Sequence, residues 1–154
     1  MMSMDALPPS LLDLTAYLLS KLGKQARSST GDRLAARGLR LWHFAVLAAL
    51  ADFGPHIQRD LAARLGIDAS DVVKVVDDLA DAGYAERARD LVDRRRITVT
   101  LTPAGHSALA ELQAEAKAAD EVLLAPLNAA ERVQLHALLM WVFASSSDGG
   151  IGPV

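Results

Sequence analysis

The sequence predicts a mainly α-helical protein with a small β-hairpin, an α+β fold class. Apolar residues recur every three or four positions over long stretches, which is the period of an amphipathic helix. They alternate with threonines in ITVTL, residues 97–101, and such alternation is typical of a half-buried strand. Hydrophobic residues make up 51% of the chain but aromatic residues only 5%. The core is therefore expected to consist of leucine, alanine and valine, and the alanine and leucine content favours helix.

Composition also limits the classes of function. A chain of 154 residues fits one domain with a substantial core. No apolar run reaches the length needed to cross a bilayer, and the first residues, MMSMDALPPS, lack the features of a secretion signal. The absence of cysteine excludes disulfides and thiolate metal sites. We expect a cytoplasmic protein that carries no cofactor and does not enter a membrane.

The first helical region is predicted within residues 10–38, after a flexible N-terminus at residues 1–9. Its segment SLLDLTAYLLSKLGKQARS spans residues 10–28. Tyr17 lies beside a stripe of leucines spaced three or four residues apart, which is one face of a helix. The stripe consists of Leu11, Leu14, Leu18 and Leu22.

A pair of short helices is predicted in residues 57–83. Gly66 ends the first at its C-terminal cap, and Asp68 is a good N-cap for the second, with Asp71 in its first turn. The second helix is expected from about Ala69 to Ala82. Two short helices joined by a turn containing glycine form the helix-turn-helix pattern, whose second helix reads a DNA groove. The apolar stripe of that second helix consists of Val72, Val75, Val76 and Leu79.

A β-hairpin follows at once, with three consecutive arginines near its tip. The stretch VDRRRITVTLTPAG covers residues 92–105, and we expect the tip, or wing, at about residues 89–96. Thr102 and Pro103 then read as an N-cap and the first position of a helix. A hairpin that follows a helix-turn-helix makes a winged helix, here residues 39–103.

The C-terminal helices, in residues 104–144, are predicted to carry the contact between subunits. Asn128 and Glu131 form a capping-box pattern at the start of the last helix, which is unusually apolar. Such a surface at both ends of a small domain needs a partner. The candidate interface residues are Leu11, Leu14, Leu18, Leu138, Leu139 and Val142. Residues 145–154, SSSDGGIGPV, are expected to form a flexible tail.

These segments resemble the MarR family of winged helix-turn-helix transcriptional regulators. The likeness is carried by LRLWHFAVLAAL at residues 39–50, and by DLAARLGID, VVDDLADAGYAER and DRRRITVTLTPAG farther along. The resemblance implies a homodimer joined through its terminal helices and bound to a pseudo-palindromic operator in double-stranded DNA. It also implies a repressor released by a ligand. A winged-helix protein-interaction module without DNA affinity is the alternative.

The candidate DNA contacts lie on the second helix and in the wing. The resemblance implies that Asp93 holds Arg95 for insertion into the minor groove, while Arg94 and Arg96 contact phosphates. Any wing arginine could instead be a solvated hairpin charge, and Asp93 a turn residue. Asp71 either caps its helix or accepts a hydrogen bond from a cytosine amino group. The complete candidate set is Ser70, Asp71, Lys74, Arg87, Arg89, Asp93, Arg94, Arg95 and Arg96.

The distribution of charge favours DNA more than its total does. The formal net charge is −3, which is unfavourable for a nucleic-acid partner. Between Gly83 and Thr102, however, five arginines face three acids, a local charge of +2. The acidic second helix would also be compatible with the interaction-module alternative.

The remaining candidates concern a small ligand. The histidines at positions 43, 56, 106 and 136 have no metal-ligand spacing, so neither a metal site nor a catalytic site is expected. The resemblance implies a site for a small aromatic weak acid where the dimer helices meet the winged core. Tyr17, Trp42 and His43 are the candidate effector-binding residues, and a core role is the alternative for His43.

Overall fold

The computed structural model describes residues 3–147, and seven helices and three strands form the described part of the chain. The predicted tail lies largely outside these residues, at 148–154, as do the first two positions of the predicted flexible N-terminus. The remaining ends are more regular than expected, since a 3₁₀ turn occupies Met4–Ala6 and the last helix continues to Ser147. The helices are α1 (Pro9–Leu12), α2 (Thr15–Ala35), α3 (Leu41–Phe53), α4 (Gln58–Leu65), α5 (Ala69–Asp81), α6 (Pro103–Leu123) and α7 (Ala129–Ser147). The strands are β1 (His56–Ile57), β2 (Ala85–Arg89) and β3 (Ile97–Leu101).

The first helical region differs from the prediction in one way. It is broken at Leu14, whose backbone is extended (φ −94°, ψ 115°), so that α1 ends before it and α2 begins after it. The second helix ends at Ala35, within the predicted region. Tertiary packing supports its last turns, because Leu34 is completely buried and Arg33 bonds to Glu115 of α6.

The helix-turn-helix has the predicted boundaries within one residue. Gly66 adopts the left-handed conformation (φ 64°) and its N–H bonds to the carbonyl of Ala62, which ends α4 as expected. The apolar stripe of α5 faces the core, where Val72, Val76 and Leu79 are fully buried. Asp68 stands at the N-cap of α5 as predicted, although its side chain makes no capping hydrogen bond.

The three strands form an antiparallel sheet in the order β1–β3–β2. In the predicted strand Val99 is fully buried, whereas Ile97 is 38% exposed because it lies at the wing end of the sheet. The two-residue strand β1 pairs Ile57 with Thr98. It was not predicted, since two residues are too few to show alternation.

The start of α6 fastens the wing to the rest of the domain. Thr102 caps the helix as predicted, accepting a hydrogen bond from Gly105 N (3.0 Å), while its own hydroxyl donates to Gly83 O (2.6 Å). A Cβ at Gly105 would lie 2.0 Å from the carbonyl oxygen of Tyr84, so the close approach requires glycine there. The base of the hairpin is thus held against the first turn of α6.

The core joins α3, α4, α5 and the sheet to the inner faces of α2 and α6. Its fully buried large residues are Leu34, Val46, Leu47, Leu61, Val72, Val76, Leu79, Val99 and Leu112. Helix α7 stands apart, since none of its described side chains is buried. It begins with the predicted capping box, in which Asn128 and Glu131 exchange hydrogen bonds of 3.0 and 2.9 Å.

Candidate DNA interface

One face of α5 is open to solvent, opposite its buried valine stripe. Ser70, Asp71 and Lys74 are all exposed on this side of the helix. Among the described residues the Asp71 carboxylate makes no hydrogen bond, so the predicted capping role reduces to a favourable position near the positive end of the helix. The structure therefore brings the three predicted α5 residues to one accessible surface.

Two of the acids on α5 are engaged by partners within the domain. Asp77 accepts a hydrogen bond of 2.5 Å from Nη1 of Arg87. Asp78 Oδ2 lies 2.9 Å from Nε2 of the buried His43. These pairings reduce the repulsion that the helix would present to DNA, and they tie α5 to β2 and α3.

Arg87, a predicted DNA contact, is held by acceptors within the domain. Its guanidinium donates to Gln58 Oε1 (2.6 Å), to the Asp77 carboxylate and to the backbone carbonyl of Val73 (3.1 Å). Nε and both terminal nitrogens thus have protein acceptors, and the guanidinium connects β2, the first turn of α4 and α5. The role of Arg87 as a DNA contact stays a prediction.

The wing tip is an ordered turn centred on Asp93. Asp93 Oδ1 accepts from the backbone N–H of Arg95 (3.0 Å), and Oδ2 lies 3.6 Å from Nε of Arg96. The expected support of Arg95 by Asp93 is thus made through the backbone, and the guanidinium that Asp93 meets is that of Arg96. The backbone contact to Arg95 is compatible with the predicted support by Asp93, and the role of Arg95 in the minor groove stays a prediction.

Three wing arginines extend into solvent. Arg89, Arg94 and Arg95 are exposed, and within the described residues their guanidiniums form no salt bridge. Unpaired guanidiniums in a ribbon of this size suit the negative potential of a narrow groove.

Sequence reasoning missed two further residues at this surface. Arg59, exposed in the first turn of α4, lines a cleft of about 430 Å³ between α4 and the wing together with Arg95 and Arg96. Val73 is 40% exposed on the open face of α5, beside Lys74. Val73 is three residues before Val76 but directly follows Val72, and the helical step of about 100° per residue turns it away from the centre of the buried stripe.

The predicted effector residues do not form one site. His43 is 4% exposed, and both of its ring nitrogens are used: Nδ1 accepts from Arg40 N (2.9 Å) and Nε2 contacts Asp78. The Lys21 ammonium lies 5.3 Å from the centre of the Tyr17 ring. Trp42 is 44% exposed. The two rings make no contact with each other in the described chain. These contacts favour the core role that was the alternative for His43, and its part in ligand binding stays a prediction.

The predicted interface residues form a large exposed apolar surface at the ends of the chain. A groove of about 440 Å³ between α2 and α7 is lined by Leu19, Leu139, Met140 and Val142, among others. The six predicted interface residues are each 37–61% exposed: Leu11, Leu14, Leu18, Leu138, Leu139 and Val142.

Neither a membrane-spanning helix nor a metal-binding cluster is present in residues 3–147. No helix among them has both the length and the apolar character needed to span a membrane. They contain no group of three or more histidines and acids placed to hold a metal ion.

A helix-turn-helix with an accessible second helix and an arginine-rich wing defines a winged-helix regulator of transcription. The model of the MarR family matches residues 37–96, and this chain belongs to the MarR family of transcriptional regulators. The transcriptional repressor NicR of Pseudomonas putida is 26% identical over 147 residues, covering 96% of this chain and 93% of the relative.

Two solved structures extend the comparison. The MarR family protein Rv2887 of Mycobacterium tuberculosis, in complex with DNA, is 27% identical with a TM-score of 0.73, covering 84% of this chain and 97% of that one. BpsR of Bordetella bronchiseptica, whose DNA binding is regulated by 6-hydroxynicotinic acid, is 28% identical with a TM-score of 0.68. The match covers 84% of this chain and 92% of that one.

Proposed function

We propose that this regulator is a homodimeric repressor that binds a pseudo-palindromic operator through α5 and the wing. The observation that carries the proposal is the physical link between the two reading elements. Arg87 ties strand β2 to α5, so an exposed helix face and an arginine-rich hairpin are held as one unit. The DNA complex of the related Rv2887 supports this assignment.

The two elements match the two grooves in size and charge. An α-helix with its side chains is about 10–12 Å wide, and the major groove of B-DNA is about 12 Å wide. Ser70 and Lys74 offer a hydroxyl and an ammonium to base edges and phosphates, and Val73 offers an apolar contact suited to a thymine methyl group. Arg94 and Arg95 suit the minor groove alongside, whose narrow parts concentrate negative potential.

Dimerisation follows from the apolar ends of the chain. Leu138, Leu139 and Val142 on α7 are 40–61% exposed, and they face the groove between α2 and α7 or lie beside it. Covering this surface with the same surface of a second copy is the isologous solution expected of a two-fold dimer. Two winged domains would then read half-sites separated by about one helical turn of DNA or a multiple of it.

We further propose that a small aromatic acid controls DNA binding, as 6-hydroxynicotinic acid does for BpsR. His43 is occupied within the core, so Trp42 and Tyr17 remain the aromatic candidates. A thermal melt with 6-hydroxynicotinic acid as the probe should show stabilisation in wild-type protein and a smaller shift in Trp42→Ala. Equal shifts in both proteins would place the ligand elsewhere, and the absence of any shift would exclude this acid as the effector.

Fluorescence anisotropy with a duplex from the protein's own upstream region, against a scrambled duplex, tests DNA binding. Arg95→Ala should lose about 1–3 kcal/mol of operator affinity, while Arg94→Ala should weaken both duplexes equally and reduce the salt slope by about one. Arg27→Ala, which removes an exposed charge from α2, is the matched control and should bind normally. Failure of the wild-type protein to bind either duplex at any salt would favour the protein-interaction module.

A further inference from the structure

The tip of the wing carries two apolar side chains that the DNA contacts above do not use. Leu91 is 98% exposed and Val92 is 95% exposed, more than any other large apolar side chain of the described chain. Single exposed apolar residues are ordinary on protein surfaces. Two adjacent ones, almost fully extended into water at the end of a hairpin, call for a specific explanation.

The turn holds this pair outward. Its base is closed by a hydrogen bond from Asp90 N to Arg96 O (3.0 Å). Asp90 Oδ1 accepts from Val92 N (2.9 Å), and Asp93 Oδ1 accepts from Arg95 N on the other side of the tip. The pair is thus set in a turn of defined geometry, which reduces the ordering that a contact would require.

The surroundings of the pair identify the chemistry of its partner. Residues 89–96 contain four arginines and two aspartates, a formal charge of +2. Both aspartates accept hydrogen bonds within the turn, whereas Arg89, Arg94 and Arg95 have no ion-pair partner in the described chain. An apolar tip flanked by free cations is complementary to a surface that combines apolar faces with anionic rims.

We infer that Leu91 and Val92 form an apolar wedge that enters the minor groove of DNA between the arginines. The inference rests on the proposed function and deepens it. The minor groove is about 6 Å wide, with phosphates along its rims and deoxyribose along its walls. Apolar side chains inserted there partly unstack base steps in other DNA-binding proteins.

This contact would supply specificity without hydrogen bonds to bases. Pyrimidine–purine steps unstack and kink most easily, so operators should favour such a step beneath each wing. The arginines would supply the charge-dependent part of the affinity, and the wedge a part that does not depend on salt.

The two parts can be separated by salt titration of the wild-type protein and the double variant L91S/V92S. Because the double variant loses no charge, it should bind the operator about 10-fold more weakly with the same slope of log K against log salt. Arg94→Ala should instead reduce the slope by about one. A 2-aminopurine probe at the step beneath the wing should brighten with wild-type protein and stay quenched with the double variant.

The outcomes distinguish this inference from the proposed function. Equal affinity and equal 2-aminopurine fluorescence in wild type and L91S/V92S would overturn the wedge while leaving DNA binding intact. A change in oligomeric mass in L91S/V92S would overturn it in favour of contact with another protein copy. Absence of DNA binding by the wild type would overturn the proposed function as well. Both side chains lie outside the core, so the melting temperature of the double variant should match wild type and confirm that it is folded.

Discussion

His43 joins the helix that precedes the helix-turn-helix to the DNA-reading helix, and its removal should destabilise the domain. Its Nδ1 accepts from Arg40 N at the start of α3, and its Nε2 contacts Asp78 on α5. A hydrogen bond between neutral groups contributes about 0.5–1.5 kcal/mol and one to a charged group about 1.5–3 kcal/mol. Because the Asp78 side chain is 57% exposed, its bond belongs near the lower limit, and His43→Ala should lose about 2–3 kcal/mol.

Two variants separate the contributions. His43→Gln places an amide at the third helical position, where it can accept from Arg40 N as in a capping box, and should retain part of the stability. Asp78→Asn keeps an oxygen acceptor for Nε2 and removes the charge, so its loss should also be partial. The assay is urea unfolding at one fixed protein concentration, because the proposed dimerisation would make the apparent stability depend on concentration.

One pair of results would show that the contact between His43 and Asp78 is not structural. If the free energy of unfolding of His43→Ala lies within about 0.5 kcal/mol of wild type and the variant no longer responds to an aromatic acid, His43 is a ligand donor and its pairing with Asp78 is incidental. A large loss of stability, with a normal ligand response in the folded fraction, is the expected outcome.

The remaining predictions concern single positions. Arg87→Ala should lower operator affinity more than affinity for scrambled DNA, because the substitution releases α5 from β2. Arg87→Lys keeps the charge but cannot reach three acceptors, so its affinities in an anisotropy assay should resemble those of Arg87→Ala. Asp71→Ser should raise affinity for all DNA by about 0.5–1 kcal/mol at low salt, whereas a fall confined to the operator would assign Asp71 to a cytosine. Leu139→Glu should halve the mass measured by light scattering and abolish operator binding, since it places a charge in the apolar contact; an unchanged mass would contradict the proposed interface. The Arg33 hydrogen bond lowers the pKa of Glu115 below its ordinary value of 4.5, so Glu115 contributes stability above that pH and loses it as the pH falls through the lowered pKa. The melting temperature of Glu115→Gln should accordingly be lower than that of wild type at neutral pH and equal to it in strong acid.

Features governed by local chemistry were predictable from the sequence. Gly66, the Thr102 cap and the box formed by Asn128 with Glu131 each depend on residues within a few positions of one another. The buried stripe of α5 was equally accessible, because helical periodicity alone selects the inward face. These local signals were sufficient to define the winged-helix fold.

Features governed by distant partners were not predictable. Arg87 looks like its neighbours in the sequence, yet its acceptors lie 10–29 positions away. The contact of His43 with Asp78 joins positions 35 residues apart. The pairing of Arg33 with Glu115 likewise connects α2 to the distant α6. No spacing rule connects such positions, so these intramolecular contacts could not be predicted from the sequence.

We propose that two copies of this chain read DNA together, each with α5 in a major groove and the wing in the adjoining minor groove. Hydroxyl-radical footprinting on the upstream region of the protein's own gene tests this arrangement, since the radical reports the minor-groove sugars covered by the wings. We expect two protected wing sites related by two-fold symmetry, one on each side of paired half-sites about one helical turn apart. Loss of protection at both wing sites in the Arg95→Ala variant should accompany this pattern. A single unsymmetrical patch, or protection that persists without Arg95, would contradict it.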